Sequence, residues 1–256
     1  MSRKRPCNTL RKLWYPDSIA RSFAEAVCAA FNGSEIPPEQ SDVVDCLQLK
    51  LEDGHSLKHY MGNVAPKDVL DSLFNLTKEN MSGLYNESGF LGGWRDQMKY
   101  RELSAAKTHI LELRDDTGML VGFVSYRFLI ISDWQPATKV CYIYELQVDA
   151  KRRSRGVGKF LVKATEIIGR KAEAKKLMCT VLKLNRRAVA FYRNKCGFTD
   201  DESDPSSVDF ENRDQHIYHI LKLDIGDTCV STPGTDTDTR NNVDALPTKM
   251  IDNNSM

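Results

Sequence analysis

Apolar residues recur every four positions at Ile19, Phe23, Val27 and Phe31, and Pro16 and Asp17 suit a helix start, so a helix is predicted over 14–31. Pro37 and Pro38 break the chain behind it. In VVDCLQLKLE (43–52), Val43, Leu47, Leu49 and Leu51 alternate onto one face, interrupted by Asp45, as in a strand. Helical spacing returns over 66–83 through Val69, Leu70, Leu73, Phe74 and Leu76. The glycine-rich turn SGFLGGW (88–94) separates it from a shorter helix over Arg95–Leu103. Three β-type runs follow at 108–113, 120–131 and 139–149, and Asp115, Asp116, Thr117 and Gly118 make the first two an antiparallel hairpin. A helix with a stripe at Phe160, Leu161, Ala164, Ile167 and Ile168, a strand over 176–184, a helix over Asn185–Lys195 and a strand over 216–223 complete the order. Hairpin strands followed by strand–helix–strand–helix–strand give an α+β plan with a mixed sheet.

The pattern divides the chain into a basic arm over 1–13 (Arg3, Lys4, Arg5, Arg11, Lys12), one domain over 14–223, and a polar tail over 224–256. The tail is rich in Thr, Asp and Asn with few large apolar residues, so it is expected to be disordered. Hydrophobic residues make up 41% and charged residues 28% of the 256, ordinary for a globular protein. Thirty-six Lys and Arg against 35 Asp and Glu leave +1, so no chain-wide basic surface and no direct nucleic-acid site is expected. No apolar run approaches the roughly 20 residues of a membrane-spanning helix. MSRKRPCNTL has neither the apolar core of a secretory signal nor a glycine at position two for myristoylation.

The seven cysteines are scattered and never form C-x-x-C, and several lie in apolar runs, the usage of a reduced cytosolic or nuclear protein. His55 with His59, and His216 with His219, are read as solvated or packed histidines, and no metal is expected.

The sharpest chemical signal is Arg153-Ser154-Arg155-Gly156-Val157-Gly158, between a strong strand and a strong helix. Two glycines let backbone N–H groups approach an anion, the helix N-terminus adds partial positive charge, and Arg152, Arg153, Arg155 and Lys159 supply full charges for phosphate. The same stretch also reads as a basic, flexible turn. It is neither G-x-G-x-x-G nor a P-loop.

This loop resembles the pyrophosphate loop of the GNAT acetyltransferase superfamily, Q/R-x-x-G-x-G/A. Asn185, Ala188, Phe191, Tyr192, Gly197 and Phe198 resemble that family's downstream Asn…Ala…Phe-Tyr…Gly-Phe stretch. NLTKENMSGLY (75–85), YELQVD (144–149) and RRSRGVGKFL (152–161) are similar to segments of its NatD branch, the histone N-terminal acetyltransferases. The resemblance covers about residues 66–222 and implies the GNAT fold, a three-layer α+β sandwich whose central mixed, mostly antiparallel sheet is flanked by helices. It also implies acetyl-CoA as co-substrate, histone N-terminal tails as partners, residence in nucleus and cytoplasm, and a monomer with no membrane association.

Carried over position by position, Leu146, Gln147 and Val148 would hold the pantetheine arm through their backbone. Arg153, Ser154, Arg155, Gly156, Val157, Gly158 and Lys159 would bind the pyrophosphate, and Asn185 would contact the cofactor. Glu145 would be the catalytic carboxylate, with Tyr142 and Tyr144 lining its channel and Tyr192 placed to protonate the departing thiolate. On its own YIYELQV reads as an ordinary half-buried strand, and along it Glu145 faces away from Tyr142 and Tyr144 unless a twist or bulge intervenes. Tyr85, Thr180, Ser203 and Tyr218 fall at peptide-contacting positions, and either Phe90 or Trp94 would be the aromatic wall, because SGFLGGW contains two residues more than the family's element. Leu129 stands where the animal enzymes have an aspartate that reads the substrate tail. The acidic run over 200–214 is either a steering rim for a basic tail or a solvated loop. Two further functions stay open: acetylation of lysine side chains or small amines on the same fold, and a non-catalytic CoA-binding chromatin module.

Overall fold

The computed structural model describes residues 11–13, 17–35, 51, 54–131 and 137–226. Most of the basic arm, the strand expected over 43–52 apart from Leu51, and the tail beyond 226 lie outside the described residues. The elements are β1 (Arg11–Leu13), α1 (Asp17–Phe31), β2 (Ser56–Met61), α2 (Lys67–Ser88), α3 (Asp96–Leu103), β3 (His109–Arg114), β4 (Leu120–Ile131), β5 (Thr138–Val148), α4 (Val157–Lys171), β6 (Lys176–Leu182), α5 (Arg186–Ala190), β7 (Thr199–Asp200), α6 (Pro205–Val208) and β8 (Tyr218–Asp224).

Seven strands run in the order β2-β3-β4-β5-β6-β8-β7, and β1 pairs with the far end of β4. All neighbours are antiparallel except β5 and β6, which the α4 crossover joins in parallel. This is the mixed, mostly antiparallel sheet expected. Residues that alternate along each strand divide between two cores. Leu111 and Val124 pack with α1 and α4 on one face. Their neighbours Ile110 and Phe123 pack with α2 and α3 on the other. The result is a three-layer α+β sandwich.

Three elements depart from the pattern. The end of the basic arm is β1, paired Arg11↔Ile131 through Leu13↔Leu129, where an unpaired arm was expected. β2 had no clear signal, because Lys58 and His59 break its alternation, yet it pairs fully along β3. The helix expected over 185–195 changes after Ala190 into a π-helical turn over Phe191–Lys195, which turns Tyr192 inward to 6% exposure.

β2 and β3 bring together two histidines that do not charge readily. His59 Nε2 lies 3.2 Å from His109 Nδ1. Burial, then the neighbouring His109 and Arg21, lower the His59 pKa to about 3, and burial with Arg21 lowers that of His109 to about 4. An unfolded histidine titrates near 6.5. Below that pH the unfolded chain takes up protons that the fold refuses, so stability falls as pH drops from about 6.5 toward 4. Calorimetry should show the melting temperature declining over that window and His59→Gln flattening the decline. An unchanged slope in the variant would place the acid sensitivity elsewhere.

Candidate active site

The site begins where two neighbouring strands part. β5 and β6 pair only from Val140↔Lys176 to Ile143↔Cys179. Beyond that the strands separate, so Tyr144–Val148 lose their β6 partner and one backbone edge opens into a cleft of about 270 Å³. A β-bulge lies at the same point. Ser125 of β4 faces Glu145, whereas the next residue, Tyr126, faces Ile143, and Tyr144 is the extra residue. The extra residue resets the alternation. Cys141, Ile143 and Leu146 pack into the α4 side of the sheet. Tyr142, Tyr144, Glu145 and Gln147 all reach the opposite, cleft side. The bulge thus brings Glu145 to the two tyrosines that strict alternation would have kept from it.

Glu145 is 4% exposed and lies in a cluster of charges. One carboxylate oxygen accepts from the Lys99 ammonium, and the other accepts from Gln147 Nε2 at 2.7 Å. Lys99 also donates to Glu102 Oε1 at 2.7 Å and to the Tyr85 hydroxyl at 3.4 Å. Burial alone would lower the Lys99 pKa, but Glu145 and Glu102 hold it above the ordinary lysine value. Burial, and then Glu145, raise the Tyr85 phenol to about 12. Burial raises Glu102, opposed by Lys99 and reinforced by Glu145. Arg127 braces the wall: its guanidinium lies 4.3 Å from the Tyr144 ring centre and donates to Thr108 Oγ1 and to the Glu102 carbonyl.

At the β5–α4 junction Gly156 has φ +87° and forms the N-cap of α4 without a side-chain capping bond. The first turn of α4 holds no acidic residue, and exposed Arg155 and Lys159 stand beside it. The helix N-terminus and these two cations together make a positive site, which fits the diphosphate expected there. The two glycines have different tasks. A Cβ at Gly158 would stand 3.2 Å from Phe191, so Gly158 lets that ring lie against α4. Gly156 supplies the left-handed turn, with Ser154 at φ +65° before it. Of the other residues expected here, Val157 is buried in the core. The Arg153 guanidinium is turned away from the helix start, to Asn80 Oδ1 and to the Val148 carbonyl at 3.2 Å. Arg152 pairs with Asp115.

Asn185 lines the cleft and caps α5 by accepting from Ala188 N–H. Tyr192 lines it too, and burial, the first of several causes, raises its phenol well above the ordinary value. Thr180 hydrogen-bonds the Tyr142 hydroxyl at the cleft wall.

Phe90 lines the cleft between Tyr85 and Tyr218, with ring centres at 5.4 and 5.6 Å. Trp94 packs on another side of Tyr85 and donates to Asp96 Oδ1 at 2.6 Å, outside the cleft lining. Of the two aromatic residues expected here, Phe90 is the one that lines the cleft. Leu129 and Tyr218 are not part of the cleft lining themselves. Leu129 is 2% exposed in an apolar cluster with Val140, Met178, Ile220 and the cleft residue Tyr142, with Tyr144 and Tyr218 packed against it, because an apolar side chain at that register packs into the sheet. Ser203 is held in a turn by Asp201 Oδ1 and does not line the cleft. The adjoining acidic residues are also engaged by the fold: Asp200 pairs with Arg193, and Asp201 and Glu202 pair with Lys176.

Sequence reasoning missed Lys99, Glu102 and Asn80. RDQMKYREL resembles a solvated charged helix; the one hint was that Lys99 shares the helical stripe of Leu103, and both are buried.

The family model described as the acetyltransferase (GNAT) family matches residues 70–198. Among solved structures, Tetrahymena GCN5 is 14% identical over 66% of this chain and 96% of its own, with a TM-score of 0.48. The NatC complex bound to Gag peptide and CoA is 13% identical over 66% of this chain and 98% of its own, with a TM-score of 0.45. For nourseothricin acetyltransferase the identity is 22% over 46% of this chain, the chain spans 66% of that protein, and the TM-score is 0.35.

Proposed function

The chain belongs to the acetyltransferase (GNAT) family of acetyl-CoA-dependent enzymes, and on that premise we propose that its acceptor is the N-terminal amine of a protein, a histone tail. The observation that carries this reading is the buried Glu145 at the bulge, set with Lys99 and Glu102 at the edge of a cleft walled by Tyr85, Phe90, Tyr142 and Tyr144. With both carboxylates and the ammonium charged, the cluster carries one net negative charge, which attracts a substrate ammonium. An α-amino group has a pKa near 8 against about 10.4 for lysine, so deprotonating lysine at the same pH costs about 3 kcal/mol more. A carboxylate base suits the α-amine.

The cofactor supplies an activated acetyl thioester. The α4 N-terminus and its loop bind its diphosphate, and the unpaired edge of β5 aligns its arm through Leu146, Gln147 and Val148. Glu145 takes one proton from the acceptor ammonium, and the second N–H proton, lost as the amide forms, makes good the one that Tyr192, the acid in this reading, gives to the leaving sulfur. The same reading assigns the protein to nucleus and cytoplasm, where histones are made and deposited.

Incubation of a histone-tail peptide with acetyl-CoA, read by fragment-ion mass spectrometry, should give an acetyl group on the terminal nitrogen. A blocked terminus should abolish the product. Acetylation confined to lysine would favour the second acceptor class. Phe90→Ala should raise the peptide KM about tenfold through loss of the aromatic wall, with Trp94→Ala changing it less.

A further inference from the structure

Catalysis leaves one proton behind at each turnover, and Glu145 is poorly placed to release it. Its side chain is 4% exposed, and a bound acceptor would close the cleft in front of it. The side chains behind it open progressively toward solvent: Lys99 is 8% exposed and Glu102 26%. Lys99 Nζ touches carboxylates on both sides, Glu145 Oε1 and, at 2.7 Å, Glu102 Oε1. Lys99 and Glu102, with Tyr85 and Leu91, line both the cleft and an adjoining, smaller depression whose other walls include the exposed Arg95 and Met98. Glu102, the more exposed of the pair, therefore stands where the reaction chamber meets a second opening toward water.

We propose that Lys99 and Glu102 form the proton exit of the active site, carrying to solvent the proton that Glu145 takes from the acceptor amine. The substrate N–H bond breaks as an O–H bond forms on Glu145. That proton passes to Lys99 as Lys99 gives one of its own N–H protons to Glu102. Glu102 then releases a proton to water, and the three side chains return to their starting state. Lys99 and Glu102 act through Glu145, as positioning residues for its proton.

A purely structural buried ion pair needs one carboxylate for each ammonium, and a second buried carboxylate adds desolvation cost. Burial raises the Glu102 pKa, a direction that suits a group holding a proton briefly near neutral pH. The other ionisable groups facing the triad among the described residues are Tyr85 from α2, Arg127 from β4, Tyr142 and Tyr144 from β5, Cys179 from β6 and Tyr192 from the π-turn. Tyr85 is hydrogen-bonded to Lys99 and Tyr192 to Cys179, so neither bridges two carboxylates as Lys99 does.

This inference rests on the acetyl-transfer reading but not on which amine is acetylated. The test compares the full-length protein with Glu102→Gln at fixed ionic strength while imidazole is raised from a weakly buffered solution. The amine is the histone-tail peptide, or a lysine peptide or polyamine if the wild type prefers one. Wild-type turnover should be independent of buffer concentration. Glu102→Gln should turn over about tenfold more slowly in weak buffer and recover as imidazole supplies an alternative proton carrier. Its CoA KM and melting temperature should stay close to wild type, its amine KM should rise with the loss of the cluster's net negative charge, and Glu102→Asp should restore most of the rate. Wild-type turnover by Glu102→Gln in weak buffer, or a loss that imidazole leaves untouched, would overturn the exit. Wild-type failure on the histone-tail peptide with success on another amine would overturn the substrate reading alone.

Discussion

Gly156→Val should reduce CoA affinity by about a hundredfold or more, equivalent to ~2.8 kcal/mol, while the protein still folds. Gly156 sits at φ +87°, a region that a β-branched residue avoids at a cost on the order of 1–2 kcal/mol or more. The cause is conformational rather than steric, since among the described residues a Cβ there would meet only Leu51, at an ordinary 3.8 Å. Relief of that strain would rotate the peptide units that lead into α4 and turn N–H groups away from the diphosphate. Gly156→Asn makes the control, because asparagine enters the left-handed region more easily, and it should retain more affinity than valine. Titration calorimetry with CoA decides the matter. Undiminished affinity in Gly156→Val would remove this loop from cofactor binding.

The same loop marks how far the sequence was legible. Short-range rules carried the elements: four-residue periodicity located α1, α2 and α4, and alternation with an Asp-Gly-containing turn located the β3–β4 hairpin. The elements that escaped are those whose stability comes from partners distant in sequence. β2 is held by its ladder to β3 and by the Asn32 side chain, which bonds both the N–H and the carbonyl of Leu57. β1 is held by β4. Neither partner can be read from the local pattern.

At the site, a glycine spacing could be read, but the direction taken by a long side chain could not. Arg153 counts as a phosphate ligand in one dimension, yet in three it spans from the loop to Asn80 of α2. Asn80 Nδ2 in turn donates to Gln147 Oε1 at 3.0 Å, and Gln147 donates to Glu145. A hydrogen-bonded chain thus links the loop before α4 to Glu145 through Asn80, a residue to which the sequence reading gave no role. The bulge at Tyr144 was legible only as a requirement, since three residues had to converge that an unbroken strand would separate.

Glu145→Gln should lower the turnover rate by about a hundredfold or more at neutral pH, with peptide and CoA binding much less affected. The substitution retains the side-chain volume and an oxygen able to accept from Lys99, and it removes the group that can take a proton. Lys99 keeps its bond to Glu102 in the variant, so no buried charge is left without a partner and the fold should persist. The acceptor arrives mainly as an ammonium below a pH of about 8, and an ammonium has no lone pair to attack a thioester. Raising the pH above that value should therefore return part of the lost rate, because free amine then needs no base. Imidazole should not rescue Glu145→Gln as it rescues Glu102→Gln, since the missing step lies inside the closed cleft rather than at its outlet. Near-normal turnover of Glu145→Gln at neutral pH would defeat the assignment of Glu145 as base and the proton exit built on it. The base would then have to be sought among the groups lining the cleft, with the Tyr144 hydroxyl, in the wall that Arg127 braces, the first to substitute.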